Sequence, residues 1–145
     1  MVKMVRKTKV NGEKWVMEMQ LLLVMAGGFL GAAVRFALGE WIGSADFPLA
    51  TLLANLSGCL FLGWFMTFSS RQEGRWREMS LLVGTGFTGS FTTFSTFSLE
   101  MVQLIRDGAI WQGAFYSGIS IVGGLLLAYI GYKFVDVQLG RRGDH

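Results

Sequence analysis

Residues 84–98 read GTGFTGSFTTFSTFS, a stretch drawn only from glycine, threonine, serine and phenylalanine. Flexible glycines and β-branched threonines weaken helix continuity there, so a break is predicted, and a broken helix frees backbone carbonyls that can hold a cation. Phe87, Phe91, Phe94 and Phe97 recur at intervals of four, three and three, which on a helix makes one aromatic stripe. Such a stripe either packs or turns its electropositive ring edges toward an anion, and edges bind weakly, as a conducting path requires. Thr51 and Asn55 stand four residues apart on one helix face, where the amide offers two N–H donors to an anion or to a neighbouring helix. Tyr116, Ser120 and Gly124 align in the same way at i, i+4 and i+8, as a polar track or as a packing seam. Arg35 suits the mouth of an anion path or a snorkelling position near a helix end. Glu100 suits a water-filled vestibule, a cap on the broken helix or a proton carrier.

The elements that position these residues follow from composition. Of 145 residues, 52% are hydrophobic and 16% charged, against about 25% charged in soluble proteins. Four apolar runs, 19–38, 49–68, 79–105 and 110–135, are separated by charged clusters, and each has roughly the 20 residues that a spanning helix needs. The predicted fold is an all-α integral membrane protein of four transmembrane helices, the third broken at mid-membrane. Residues 1–18 form a polar, basic extension, frayed or lying on the membrane surface; 19–135 form the membrane domain; 136–145 form a polar tail. Basic residues ahead of the first run and small ones at its end also fit a signal peptide, but three further runs favour a retained span. Gly27 and Gly31 give that span a GxxxG spacing suited to close helix approach.

If all four runs cross, eleven Lys and Arg residues fall on one side and only Arg35 and Arg106 on the other, which places both termini in the cytoplasm. These charges lie outside the apolar runs and interleave with no soluble domain, so anionic headgroups rather than nucleic acid are their expected counter-charge. Enzyme chemistry is disfavoured. Cys59 is the only cysteine and His145, the last residue, the only histidine, so no intrachain disulfide or multi-His metal site can form, and a buried Ser/His or Cys/His catalytic pair is not expected. Gly84, Gly86 and Gly89 match GxGxxG, but without the preceding strand that a dinucleotide site requires. No GxxxxGK[ST] phosphate loop is present.

Three stretches, GGFLGAAVRF at 27–36, TLLANLSG at 51–58 and GFTGSFTTFSTFSLE at 86–100, resemble the Fluc (CrcB) family of fluoride channels across all four runs. The resemblance implies an antiparallel, dual-topology homodimer in the bacterial inner membrane, with two fluoride pores at the subunit interface. It maps the pore onto Asn55, Phe94, Phe97, Tyr116 and Ser120, and the reading of the residues themselves adds Thr51 beside Asn55 and Arg35 and Glu100 at the vestibules. Where the polar track should carry a further hydroxyl, this chain has Gly124. A central structural sodium ion is implied, bound by the backbone carbonyls of Gly89 and Thr92. The implied activity is passive export of cytoplasmic fluoride, which relieves its toxicity.

A chain inserted both ways carries little Lys/Arg bias, so eleven against two stands in tension with dual topology. Translation from Met17 would lower the ratio to six against two, and a paired chain of opposite orientation would remove the tension. Two alternatives remain at this level. A small multidrug exporter is also four-helical and dimeric but needs a carboxylate deep in the first span, which Glu18 precedes. In a non-transporting membrane scaffold the small and hydroxyl residues would only pack helices.

Overall fold

Three of the four apolar runs become helices long and apolar enough to cross a membrane: Lys14–Ile42, Leu49–Ser70 and Ile110–Gln138. The computed structural model describes residues 2–43, 47–72, 74 and 76–140, and side chains within 14–138, and every regular element among them is a helix. Helix α1 (Val2–Ile42) is 41 residues long, which at 1.5 Å per residue gives about 60 Å, roughly twice a hydrocarbon core. The described part of the basic extension is helical and runs into the first span without a break. No proline occurs before Pro48, and a lone interior glycine such as Gly12 costs a helix only about 1 kcal/mol. The side chains of Lys3, Arg6, Lys7, Lys9 and Arg77, and residues Arg75, Arg141 and Arg142, lie outside the described residues. So does the end of the C-terminal tail, of which 136–140 continue the last helix.

Helix α2 (Leu49–Ser70) follows. The third run is divided: α3 (Trp76–Met79), a π-helical stretch (Ser80–Thr88), the single turn α4 (Gly89–Phe91), and α5 (Phe94–Arg106). Thr88 Oγ1 donates to the Val83 carbonyl five residues earlier at 2.9 Å, across the widened turn. The fourth run comprises α6 (Ile110–Gly118), a second π-helical stretch (Ile119–Gly123) and α7 (Gly124–Gly140).

The α5–α6 corner is a Schellman turn. Ala109 N–H donates to the Leu104 carbonyl at 2.8 Å and Gly108 N–H to the Ile105 carbonyl at 3.1 Å. Gly108 takes the φ of +74° that this turn requires and that a side chain disfavours.

Packing rests on small residues. A Cβ on Gly27 would overlap the Leu82 carbonyl oxygen, and one on Gly31 that of Phe87, so α1 lies directly against the backbone of the first π-helical stretch. The GxxxG spacing acts here as a packing device. Gly63 on α2 and Gly131 on α7 likewise meet the Ala128 and Leu60 carbonyls. Arg71, at the end of α2, and Asp136 on α7 form an ion pair, worth at most about 1 kcal/mol at its exposure.

A small core of Leu52, Leu104 and Tyr116 draws in Phe47, Phe97 and Met101, and it joins α2, α5 and α6. Large apolar side chains such as Phe29, Trp41 and Trp111 face outward, as suits a chain whose surrounding medium is lipid.

Candidate functional site

The site forms where the third run stops being helical. Thr92 (φ −80°, ψ 155°) and Thr93 (φ −149°, ψ 123°) are extended between α4 and α5. Thr93 then caps α5, its Oγ1 accepting from Thr96 N–H at 3.2 Å, which suits a hydroxyl residue at that position.

Asn55 on α2 clamps the interruption from the side. Its Oδ1 accepts the Thr93 N–H at 2.8 Å and its Nδ2 donates to the Thr93 carbonyl at 3.0 Å. The side chain thus replaces a backbone partner in both directions.

These bonds redirect the donors that a continuous helix would use. Thr93 N–H, the i+4 partner of the Gly89 carbonyl, goes to Asn55; Thr96 N–H, the i+4 partner of the Thr92 carbonyl, goes to Thr93 Oγ1. The carbonyls of Gly89 and Thr92 are therefore released from the helical ladder. Ser90, next to Gly89, gives its carbonyl to Arg35 Nε at 3.2 Å. Arg35 is thus bonded to the backbone of α4, just before the interruption, while Glu100 lies on α5 beyond it.

Glu100 on α5 ties three helices together. Thr51 Oγ1 donates to its Oε1 and Tyr116 Oη to its Oε2, each at 2.7 Å. Tyr116 is completely buried and Thr51 nearly so, which makes the carboxylate the acceptor for two hydroxyls that water does not reach. In this arrangement the Tyr116 proton points at Glu100 and not into the adjoining cavity.

That cavity, of about 330 Å³ and open on one side, brings Asn55, Thr93, Phe94, Phe97 and Ser120 together with Cys59. Ser120 Oγ is shut off from solvent and has no hydrogen-bond partner among the described residues. A second, more polar cavity of about 520 Å³ lies beyond Glu100, lined also by Gln103, Asp107 and Gln112.

The aromatic stripe does not survive as one surface, because the extended residues change its direction midway. Phe87 and Phe91 stack at 5.7 Å, and Phe87 packs edge-on against Phe61 of α2. Phe94 and Phe97 sit 5.9 Å apart at the cavity, and Phe97 lies 4.9 Å from Tyr116. The first pair packs the bundle, and the second lines the cavity.

The sequence-selected residues therefore fall into three adjoining groups: Asn55, Phe94, Phe97 and Ser120 at the cavity; Thr51, Tyr116 and Glu100 in the hydrogen-bonded triad; and Gly89, Thr92 and Arg35 on the interrupted backbone. Sequence reasoning missed Thr93, whose role depends on its backbone, and Cys59, which the four-residue spacing from Thr51 and Asn55 signals.

The profile of a family described as "CrcB-like protein, Camphor Resistance (CrcB)" matches residues 22–132. The "Fluoride-specific ion channel FluC" of Oceanobacillus iheyensis is 47% identical over 114 residues, covering 78% of this chain and 88% of that one. "Fluoride-specific ion channel FluC 1" of Bacillus cereus is 46% identical over 139 residues, covering 91% and 96%. "Fluoride-specific ion channel FluC 2" of Listeria innocua is 39% identical over 131 residues, covering 88% and 98%. The match takes in every residue that meets at the interrupted helix, its cavity and the Glu100 triad, and by that match the chain belongs to the CrcB family.

Proposed function

We infer that this chain is a fluoride channel of a bacterial membrane, a multi-pass protein and not an enzyme. The observation that carries the reading is the cavity lined by Asn55, Phe94, Phe97 and Ser120, beside which the Ser120 hydroxyl is buried without a partner among the described residues. Fluoride is small and tightly hydrated, so a path for it must replace water with donors while holding the ion loosely. Ser120 supplies an O–H, and Asn55 carries a second N–H beyond the one given to Thr93. The rings of Phe94 and Phe97 supply positive edges without a full charge.

The interrupted helix lies at mid-membrane in this reading, covered by protein on the α2 side through Asn55. A second copy inserted antiparallel closes the open side of the cavity, where Phe94 is 80% exposed in the single chain. Two pores then form at the interface. The released carbonyls of Gly89 and Thr92 fit a hard cation, which prefers oxygen ligands, and sodium there would supply a fixed positive charge beside the anion path. Arg35 steadies the turn between them through the Ser90 carbonyl.

Purified protein in potassium-loaded liposomes tests the channel reading. Fluoride efflux is expected only when a potassium ionophore balances the charge, with chloride retained. Efflux without the ionophore, driven by a pH gradient, would replace passive conduction by proton-coupled exchange and make Glu100 the carrier.

Orientation is tested separately with reporters fused to the C-terminus. The antiparallel homodimer predicts signal on both membrane faces despite the bias of eleven Lys and Arg against two. Signal confined to one face would exclude the homodimer and call for a second chain of opposite orientation.

A further inference from the structure

A glycine floors the seam between α2 and α7. A Cβ on Gly131 would overlap the Leu60 carbonyl oxygen and crowd the Trp64 backbone nitrogen, so the two helices touch backbone to backbone. The larger side chains beside that contact stand up as walls. They leave a hollow of about 380 Å³ between Ser57, Leu60 and Trp64 of α2 and Ile130 and Phe134 of α7. A second hollow, of about 510 Å³, continues past Tyr129 and Lys133 to Gln138. Ile130 and Phe134 line both, which makes them one groove.

Three properties of the groove define what fits it. Its length comes first: from Ser57 to Leu60, and on from the facing Gly131 to Gln138, it covers about ten helical steps, or about 15 Å, half of a hydrocarbon core of about 30 Å. It ends where the apolar span Ile110–Gln138 ends, so it is as long as one leaflet is deep. Its direction comes second. Trp64 stands nine residues, two and a half turns, beyond Asn55, so the groove occupies the face of α2 opposite the cavity that a second copy would close. That face is left to the bilayer. Its charge comes third. Lys133 is the one charged residue lining the groove among the described residues. Asp136, the carboxylate one turn on, is taken by Arg71, and no carboxylate pairs with Lys133 among the described residues. The ammonium lies 5.8 Å from the centroid of the Tyr129 ring, a cation–π contact that steadies a long side chain while leaving its N–H donors free.

We propose that the groove between α2 and α7 holds one acyl chain of an anionic glycerophospholipid, whose phosphate pairs with Lys133. The apolar walls take the chain, and the lysine stem lies along them with its charge at the headgroup. A zwitterionic lipid brings its own cation toward Lys133, whereas an anionic one brings only the complementary charge.

The test uses the full-length protein in detergent with dioleoyl phosphatidylglycerol or dioleoyl phosphatidylcholine at equal mole fraction, read by thermal unfolding and by native mass spectrometry. Phosphatidylglycerol is expected to raise the Tm of wild type by several degrees more than phosphatidylcholine and to remain bound at one tightly held molecule per subunit. Lys133→Gln is expected to weaken phosphatidylglycerol binding about fivefold, erasing the difference between the lipids, and Lys133→Arg to restore it. Ile130→Trp places bulk in the groove without touching the Gly131 contact and is expected to lower the bound count with either headgroup. Equal shifts from the two lipids in wild type overturn the inference. So does a preference for phosphatidylglycerol that survives in Lys133→Gln, which would assign the anionic headgroup to other basic residues. Should Lys133→Gln fail to fold, a wild-type lipid count in Ile130→Trp overturns the inference in its place. None of these readouts involves fluoride, so they decide the lipid site whether or not the protein conducts.

Discussion

Phe94→Ile is expected to lower fluoride efflux by about a hundredfold, which corresponds to about 2.7 kcal/mol on the barrier to conduction, while leaving the subunit folded. The two halves of this expectation have separate causes. Phe94 is 80% exposed in the single chain, so the change empties no core and disturbs neither the Asn55–Thr93 pairing nor the Glu100 triad. Substitutions at such positions typically move stability by no more than about 0.5 kcal/mol. Conduction is affected differently, because Phe94 and Phe97 face the cavity as a pair with centroids 5.9 Å apart. Isoleucine keeps much of the apolar bulk but has no ring quadrupole, and the positive edge offered to an anion disappears. Efflux per folded protein in liposomes, set beside thermal unfolding in detergent, checks both halves. Wild-type flux from folded Phe94→Ile protein would remove the ring edges from the mechanism.

The spans were legible in the chain because lipid imposes long apolar runs, and Gly27 and Gly31 announced the close approach of α1 through their spacing alone. Residues related by helical periodicity were equally accessible, and Thr51 with Asn55 and Tyr116 with Ser120 do share faces. What spacing could not give was the partner of each polar group. Glu100 bonds Thr51, 49 residues away, and Tyr116, 16 residues away, which local periodicity does not encode. Arg35 suited a vestibule on charge alone, whereas its Nε is bonded to the Ser90 carbonyl 55 residues on. The stripe of Phe87, Phe91, Phe94 and Phe97 was drawn on an unbroken helix, and two extended threonines divide it into a packing pair and a cavity pair. Cys59 was set aside because one thiol cannot make a disulfide, although its phase on α2 placed it with Asn55. The N-terminal extension was read from its polarity, and none of its charged residues prevents α1 from starting at Val2.

Glu100→Ala is expected to destabilise the protein by about 2–6 kcal/mol, since it strands two hydroxyls at about 1–3 kcal/mol for each buried group left without a partner. Tyr116 is 0% exposed and Thr51 6%, so both hydroxyls rely on the carboxylate that joins α2, α5 and α6. Glu100→Gln preserves the volume and one carbonyl oxygen. Tyr116 can still donate to that oxygen, while the new amide N–H donates to Thr51 Oγ1, which turns its own proton elsewhere. The loss should then stay near about 1 kcal/mol, the typical net worth of one hydrogen bond. Thermal unfolding should rank wild type above Gln and Gln well above Ala, and equal losses for the two variants would mean that the triad does not hold the helices. Because Gln keeps the geometry and removes the titratable group, it also separates positioning from proton transfer. A carboxylate that only anchors Thr51 and Tyr116 leaves Glu100→Gln conducting fluoride with the same need for a potassium ionophore. A carboxylate that carries protons leaves it folded and silent, and the Phe94 contact would then belong to an exchanger rather than to a channel.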